Sequence, residues 1–107
     1  MITYEALKDM SGEKCYTLTR DHPAEIYVED RGVTVVYPSG YSIDLPREMV
    51  IEAINWLRQK RKLTVDEVHE EITKGNRTRT DKLMAVLRKL PGVSFDKYPR
   101  ALYYQEG

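Results

Sequence analysis

The stretch from 63 to 100, LTVDEVHEEITKGNRTRTDKLMAVLRKLPGVSFDKYPR, decides the fold of the C-terminal half. Thr64 and Glu67 have the spacing of a T-x-x-E capping box, which marks the start of a helix. Apolar residues then recur at helical spacing, so we expect a helix over residues 65–74. Gly75-Asn76 ends it, because both residue types tolerate the left-handed conformation of a helix C-cap.

A second helix follows almost at once. Thr78 and Asp81 have the spacing of another capping box, and the expected helix covers residues 79–90. Its apolar stripe consists of Leu83, Leu87 and Leu90, flanked by Met84 and Val86. Pro91-Gly92 stops it. Only about four residues join the two helices, which suits helices that cross steeply rather than the arms of a coiled coil.

A β-hairpin is expected after the second helix. Val93 and Phe95 alternate with polar residues, residues 96–100 are expected to form a loop, and residues 101–105 form a second strand. Helix, turn, helix and a hairpin with a basic tip resemble a winged helix-turn-helix domain across residues 46–106. The resemblance implies that the helix from Thr78 enters the major groove of DNA. It also implies that the hairpin tip, the wing, contacts the DNA backbone or minor groove.

The N-terminal half has a different pattern. A short helix is expected over residues 4–10, and alternating apolar residues then predict a small antiparallel meander of three or four strands. Its first strand covers residues 15–19, with Tyr16 and Leu18 on one face. Asp30-Arg31-Gly32 and Pro38-Ser39-Gly40 are its turn signals. We expect this sheet to pack on the rest of the chain, because so small a sheet is marginal alone.

The helix between the two halves is expected over residues 47–61, with Pro46 in its first turn. The predicted fold class is therefore α+β. A small N-terminal antiparallel β-meander (residues 1–45) is followed by a winged helix-turn-helix domain (residues 46–107) with three helices and a β-hairpin wing. The basic run over residues 58–62 either complements the negative end of the 47–61 helix or contacts phosphate.

The N-terminal and C-terminal halves of the chain also differ in net charge. The 107 residues have a formal net charge of +0, but residues 1–46 sum to −4 and residues 47–107 to +4. Cys15 is the single cysteine, so no intramolecular disulfide can form. The sequence shows no apolar run of membrane-spanning length, and its start lacks the features of a secretory signal. A cytoplasmic location is the expectation.

The local excess over residues 74–100 is +6. Arg and Lys neutralise DNA phosphates, and Arg also bridges guanine O6 and N7. Thr hydroxyls and helix N–H groups can hold a phosphate. The candidate contacts with double-stranded DNA are Arg77, Thr78, Arg79, Thr80, Lys82, Lys97, Tyr98 and Arg100. They predict a small DNA-binding protein, such as a transcriptional regulator or a phage- or plasmid-type control protein. The alternative is that these are solvated surface charges.

Catalytic and metal chemistry are not expected. His22 and His69 are isolated, and H-E-E-I is not the H-E-x-x-H zinc signature. Cys15 in a strand is typical of a packed small hydrophobe rather than of a nucleophile. The chain has no Gly-rich phosphate loop, so we expect no enzyme activity, no metal and no cofactor.

A second hypothesis is a protein-interaction module on a winged-helix scaffold, for example an adaptor or an inhibitor of a nucleic-acid enzyme. It rests on the tyrosines of the acidic meander, which are Tyr16, Tyr27, Tyr37 and Tyr41. Such residues are either amphipathic side chains on a thin sheet with one wet face or material for an interface. Self-association to read two DNA half-sites is also compatible with the sequence.

Overall fold

The computed structural model describes residues 2–17, 22–97 and 100–105, and these form an α+β fold with two antiparallel sheets. The elements in chain order are α1 (Tyr4–Lys8), β1 (Lys14–Tyr16), β2 (Pro23–Glu29), β3 (Gly32–Val36), β4 (Ser42–Pro46), α2 (Arg47–Lys60), β5 (Lys62–Thr64), α3 (Val65–Glu67), α4 (Arg77–Leu87), β6 (Val93–Lys97) and β7 (Arg100–Tyr104). A π-helical segment, Val68–Ile72, continues directly from α3.

The first sheet confirms the predicted meander, with strand order β1-β2-β3-β4. Ile26 and Val28 of β2 are buried while Tyr27 and Glu29 face solvent, because successive side chains of a strand point to opposite faces. β1 ends at Tyr16, so it is shorter than the strand predicted over residues 15–19. The prediction for Leu18 lies outside the described residues.

The second sheet, with order β5-β7-β6, contains a strand that the sequence did not predict. Leu63 of β5 pairs with Leu102 of β7, so the residues before the capping box form an extended segment first. The predicted loop over residues 96–100 was too long. Lys97 pairs with Arg100 across the hairpin, which leaves only residues 98–99 between the strands.

The helix boundaries differ from the prediction in physically informative ways. Pro46 is the N-cap of α2 and the last residue of β4 rather than part of the first helical turn. Arg61 ends α2 in the left-handed region, with φ 63°. The Thr73 N–H bonds the Val68 carbonyl at 2.8 Å, five residues back, and this widened turn defines the π-helical segment. Regular α-helix therefore stops well before the predicted end at residue 74.

One hydrophobic cluster joins the two halves of the chain. The helical spacing of apolar residues predicts that the three helices pack through seven side chains, and all of them are buried: Ile54, Leu57, Val68, Ile72, Leu83, Leu87 and Leu90. Ile26, Val33, Val35 and Leu45 of the first sheet belong to the same cluster. α4 contacts β1 and β4, and α2 contacts β3 and β4 as well as β5 and β7. Through these contacts the meander packs on the helices of the C-terminal half.

Cys15 lies inside this cluster and is 1% exposed. Burial raises the pKa of its thiol, although the charges of Lys89 and Lys82 act in the opposite direction. The residue is thus a packed apolar side chain, as the sequence indicated. None of the helices in the described ranges has both the length and the apolar character needed to cross a bilayer.

Candidate nucleic-acid interface

Asn76 positions the first turn of α4. Its Oδ1 accepts a hydrogen bond from the Arg79 N–H at 3.0 Å, which makes Asn76 the N-cap and Arg77 the first helical residue. The predicted capping box of Thr78 and Asp81 was wrong, because the Asn side chain two residues earlier already caps the helix. α4 therefore begins two residues before the predicted start, and Thr78 lies exposed in its first turn.

This assignment gives a direct test of the cap. Asn76→Ala is expected to lower the free energy of unfolding by about 1 kcal/mol, because it leaves the Arg79 N–H without its acceptor. Thr78→Ala is expected to change it by less than about 0.5 kcal/mol, as for other exposed surface positions. Urea denaturation followed by circular dichroism measures both. A larger loss of unfolding free energy for Thr78→Ala than for Asn76→Ala would support the predicted capping box of Thr78 and Asp81 instead.

The turn before α4 is fixed by backbone geometry. Gly75 has φ 89°, as predicted for a left-handed cap, and Lys74 shares this region with φ 53°. Asn76 does not, since an N-cap needs extended backbone and its φ is −84°. The Gly75 N–H donates to the His69 carbonyl at 2.7 Å, which ties the turn to the π-helical segment.

A buried hydroxyl network holds α4 against that segment. Thr80 Oγ1 lies 2.9 Å from the Asn76 carbonyl, 2.5 Å from Thr73 Oγ1 and 3.2 Å from His69 Nδ1. Because a carbonyl only accepts, the Thr80 hydroxyl donates to the Asn76 carbonyl, and the Thr73 hydroxyl donates to the Val68 carbonyl at 3.3 Å. Thr80 is 3% exposed, so its hydroxyl serves the fold rather than an external ligand.

A cleft of about 410 Å³ lies beside this network. It is lined by Val65, Asp66, His69, Arg77, Thr80, Asp81, Met84 and Arg100. Arg77 is the first residue of α4, whereas Arg100 is the first residue of β7 in the hairpin. The cleft therefore brings together the helix start and the hairpin, the two elements that the sequence assigned to DNA. It also contains two carboxylates and an imidazole that the sequence did not assign.

The other predicted contacts surround the cleft or lie elsewhere. Thr78 is exposed and Arg79 is half-buried, both in the first turn of α4. Lys97 is exposed at the end of β6, directly opposite Arg100. Tyr98 lies outside the described residues.

Lys82 contacts the first sheet instead of the cleft. Its side chain is 12% exposed, its Nζ lies 2.9 Å from Asp81 Oδ2, and it sits 5.2 Å from the centre of the Tyr37 ring. Burial lowers the pKa of Lys82, but hydrogen bonds with Tyr37 and Asp81 outweigh it and raise the pKa overall. The Lys82 charge thus lies at the junction between α4 and the meander, away from the cleft at the start of α4.

The middle of α4 is covered on every side. All five residues from 83 to 87 are buried, because β1 and β4 pack on one side and the helices pack on the other. In the sequence, the apolar residues Met84 and Val86 flank the stripe of Leu83, Leu87 and Leu90. They indicated that more than one face of this helix is buried. Consequently, only the first turn of α4 is available to an external partner.

Asp66 and His69 are the cleft residues that sequence reasoning missed. The sequence feature that could have identified these two residues is their helical spacing. His69 is four positions after Val65 and three after Asp66, which places them on one face of a helix. Within the described ranges, no three His, Cys, Asp or Glu side chains are grouped closely enough to hold a metal ion.

Comparison of the chain with protein-family models, with curated proteins and with solved structures gives no match. The functional interpretation therefore depends on the residues and geometry of this chain.

Proposed function

We propose that residues 46–106 form a winged helix-turn-helix domain that binds duplex DNA with the first turn of α4 and the β6–β7 hairpin. The observation that carries the proposal is the position of Arg77 and Arg100, which line one cleft although they are 23 residues apart in sequence. The element order α2, α3, α4 and hairpin supports it as well.

The electrostatics of the helix start favour a phosphate. Among the described residues, the N–H groups of Arg77 and Thr78 have no hydrogen-bond acceptor. Free N–H groups and the partial positive charge of a helix N-terminus attract anions. Arg77 and Arg100 add two guanidinium groups. The carboxylates of Asp66 and Asp81 oppose deep entry of an anion, so the phosphate is expected at the rim of the cleft.

Burial of the central part of α4 limits how DNA is read. A recognition helix reads bases through side chains spread over several turns, and here only one turn is accessible. Phosphate contacts therefore supply most of the affinity, and they carry no sequence information directly. We expect weak sequence preference, with Arg79 as the main candidate for a base contact.

The double variant Arg77→Ala/Arg100→Ala tests this function. Each lost phosphate contact is expected to lower the slope of log affinity against log salt by about one, so the variant should lose about two. Fluorescence anisotropy of a labelled random duplex, titrated between about 50 and 200 mM salt, measures both affinity and slope.

The matched control is Lys14→Ala/Arg31→Ala, which removes the same charge from exposed positions in β1 and in the turn between β2 and β3. It is expected to leave the salt slope unchanged. The proposal fails if the wild-type chain shows no salt-dependent binding. It also fails if the two double variants lose affinity equally, since the effect would then come from net charge.

A further inference from the structure

The cleft at the start of α4 carries charges of both signs. Arg77 and Arg100 line it together with Asp66 and Asp81. The Asp81 carboxylate is already paired, since its Oδ2 lies 2.9 Å from Lys82 Nζ. Arg77 and Asp66, by contrast, are exposed, and neither side chain makes a hydrogen bond or an ion pair with another described residue. The cleft thus offers a guanidinium and a carboxylate that are both open to a ligand.

The same cleft has an apolar wall and the volume of a small-molecule site. Val65 and Met84 line it beside the charges, and Met84 is 0% exposed, so its side chain lies at the bottom. The volume of about 410 Å³ falls within the range of about 300–1,000 Å³ that is usual for sites that bury a small ligand. A lone phosphate group would fill only part of this space and would leave the apolar wall uncovered.

The backbone of a continuous duplex does not match this combination of groups. Phosphodiesters and deoxyriboses within a strand have no hydrogen-bond donors, so they offer nothing to a carboxylate. The donors of paired bases are either engaged with the opposite base or lie on the groove edges, which are read by a protruding helix or β-ribbon. A depression in the protein surface does not reach them. The matching ligand has a phosphate, a flat apolar surface and an unpaired donor.

We propose that the cleft takes one unpaired nucleotide of a DNA strand, with its phosphate at Arg77 and Arg100 and its base against Val65 and Met84. This inference rests on the proposed DNA-binding function and specifies which part of the DNA enters the cleft. The N–H groups in the first turn of α4 add to the phosphate site. The preferred DNA is therefore a duplex with an opened or single-stranded end.

The carboxylate of Asp66 selects which base enters. A carboxylate only accepts hydrogen bonds, so it pairs with an exocyclic amino group such as cytosine N4. Thymine presents the O4 carbonyl at the same position of the ring, and two acceptors repel each other. The cleft therefore prefers cytosine to thymine.

The probes are three DNA molecules that share one short duplex. The first has blunt ends, the second has forked ends with two unpaired cytosines on every strand end, and the third has thymines in place of those cytosines. Fluorescence anisotropy with the full chain at one low salt concentration gives the three affinities. The cytosine fork is expected to bind at least about tenfold tighter than the blunt duplex and at least about fivefold tighter than the thymine fork.

The variant Asp66→Asn separates base recognition from charge. Its amide donates to thymine O4 as readily as it accepts from cytosine N4, so the two forks should then bind within about twofold of each other. Loss of a negative charge alone would instead strengthen the binding of all three DNAs equally. The matched control is Glu70→Gln, which removes the same charge from an exposed position of the π-helical segment outside the cleft and should keep the cytosine preference. The amide spectrum of each variant shows that it is folded.

Three results would overturn the inference. They are equal affinity for the cytosine fork and the blunt duplex, equal affinity for the two forks, or a cytosine preference that survives Asp66→Asn. The DNA-binding proposal stands in each of these cases, because it requires only salt-dependent binding of a blunt duplex that Arg77→Ala/Arg100→Ala weakens. An absence of binding to all three DNAs would overturn both.

Discussion

Leu87→Ala is expected to lower the free energy of unfolding by about 2–5 kcal/mol, the range for a fully buried leucine that leaves a cavity. Leu87 is 0% exposed and belongs to the cluster that joins the two halves. Leu87→Met, which conserves volume, should cost less than about 1.5 kcal/mol. Urea denaturation of both variants measures the difference.

The same experiment tests how cooperative the fold is. Because one cluster contains residues of both halves, circular dichroism and the fluorescence of Trp56 should report a single transition. A negligible shift for Leu87→Ala would contradict the packing described for α4. Separate transitions for the two signals would show that the halves unfold independently.

Gly32→Ala is expected to destabilise the fold by about 3 kcal/mol or more, from overpacking and backbone strain of about 1–3 kcal/mol each. Gly32 begins β3 with φ 154°, and an added Cβ would lie 2.3 Å from the Leu45 carbonyl oxygen and 3.1 Å from the Arg47 nitrogen. Both are backbone atoms and cannot rotate away. The Arg47 N–H also bonds the Arg31 carbonyl at 3.0 Å, so moving the hairpin would disturb the start of α2.

Gly40→Ala is the matched control. Gly40 has φ 92°, but an added Cβ would meet nothing within 4 Å. Gly40→Ala is therefore expected to lower the free energy of unfolding through backbone strain alone, by about 1–2 kcal/mol for a left-handed residue. Urea denaturation midpoints of the two variants, with the slopes checked for equality, measure the difference. Equal losses would mean that the close approach at Leu45 has no energetic consequence.

Local signals predicted much of the fold. The capping box of Thr64 and Glu67 forms as expected, with hydrogen bonds of 3.1 and 2.9 Å, because both partners lie within three residues. The apolar stripe of α2, formed by Val50, Ala53, Ile54 and Leu57, and the alternation of the meander strands also depend on residues close in sequence. β5 escaped prediction because three residues show no period and its partner strand lies 39 positions away at Leu102.

The candidate site was predicted only in outline. The resemblance to winged helices pointed to the starts of α4 and β7, and Arg77 and Arg100 do line one cleft. Burial of Thr80 and Lys82 could not be foreseen, because it depends on non-local packing. Tyr37, which holds Lys82, is 45 positions earlier in the chain. The sequence pattern assigned Asn76 to the end of the preceding helix, whereas in the structure Asn76 caps the start of α4.

The packing of β4 against α4 has a consequence for synthesis on the ribosome. Leu45 leaves the ribosome 42 residues before Leu87, which corresponds to roughly 2–8 s at about 5–20 residues per second. During this interval the meander has its strand partners but not α4, which covers the part of its apolar face formed by β1 and β4. The nascent sheet is therefore open to chaperones and to aggregation until α4 emerges, so slow translation between these two points prolongs the exposure.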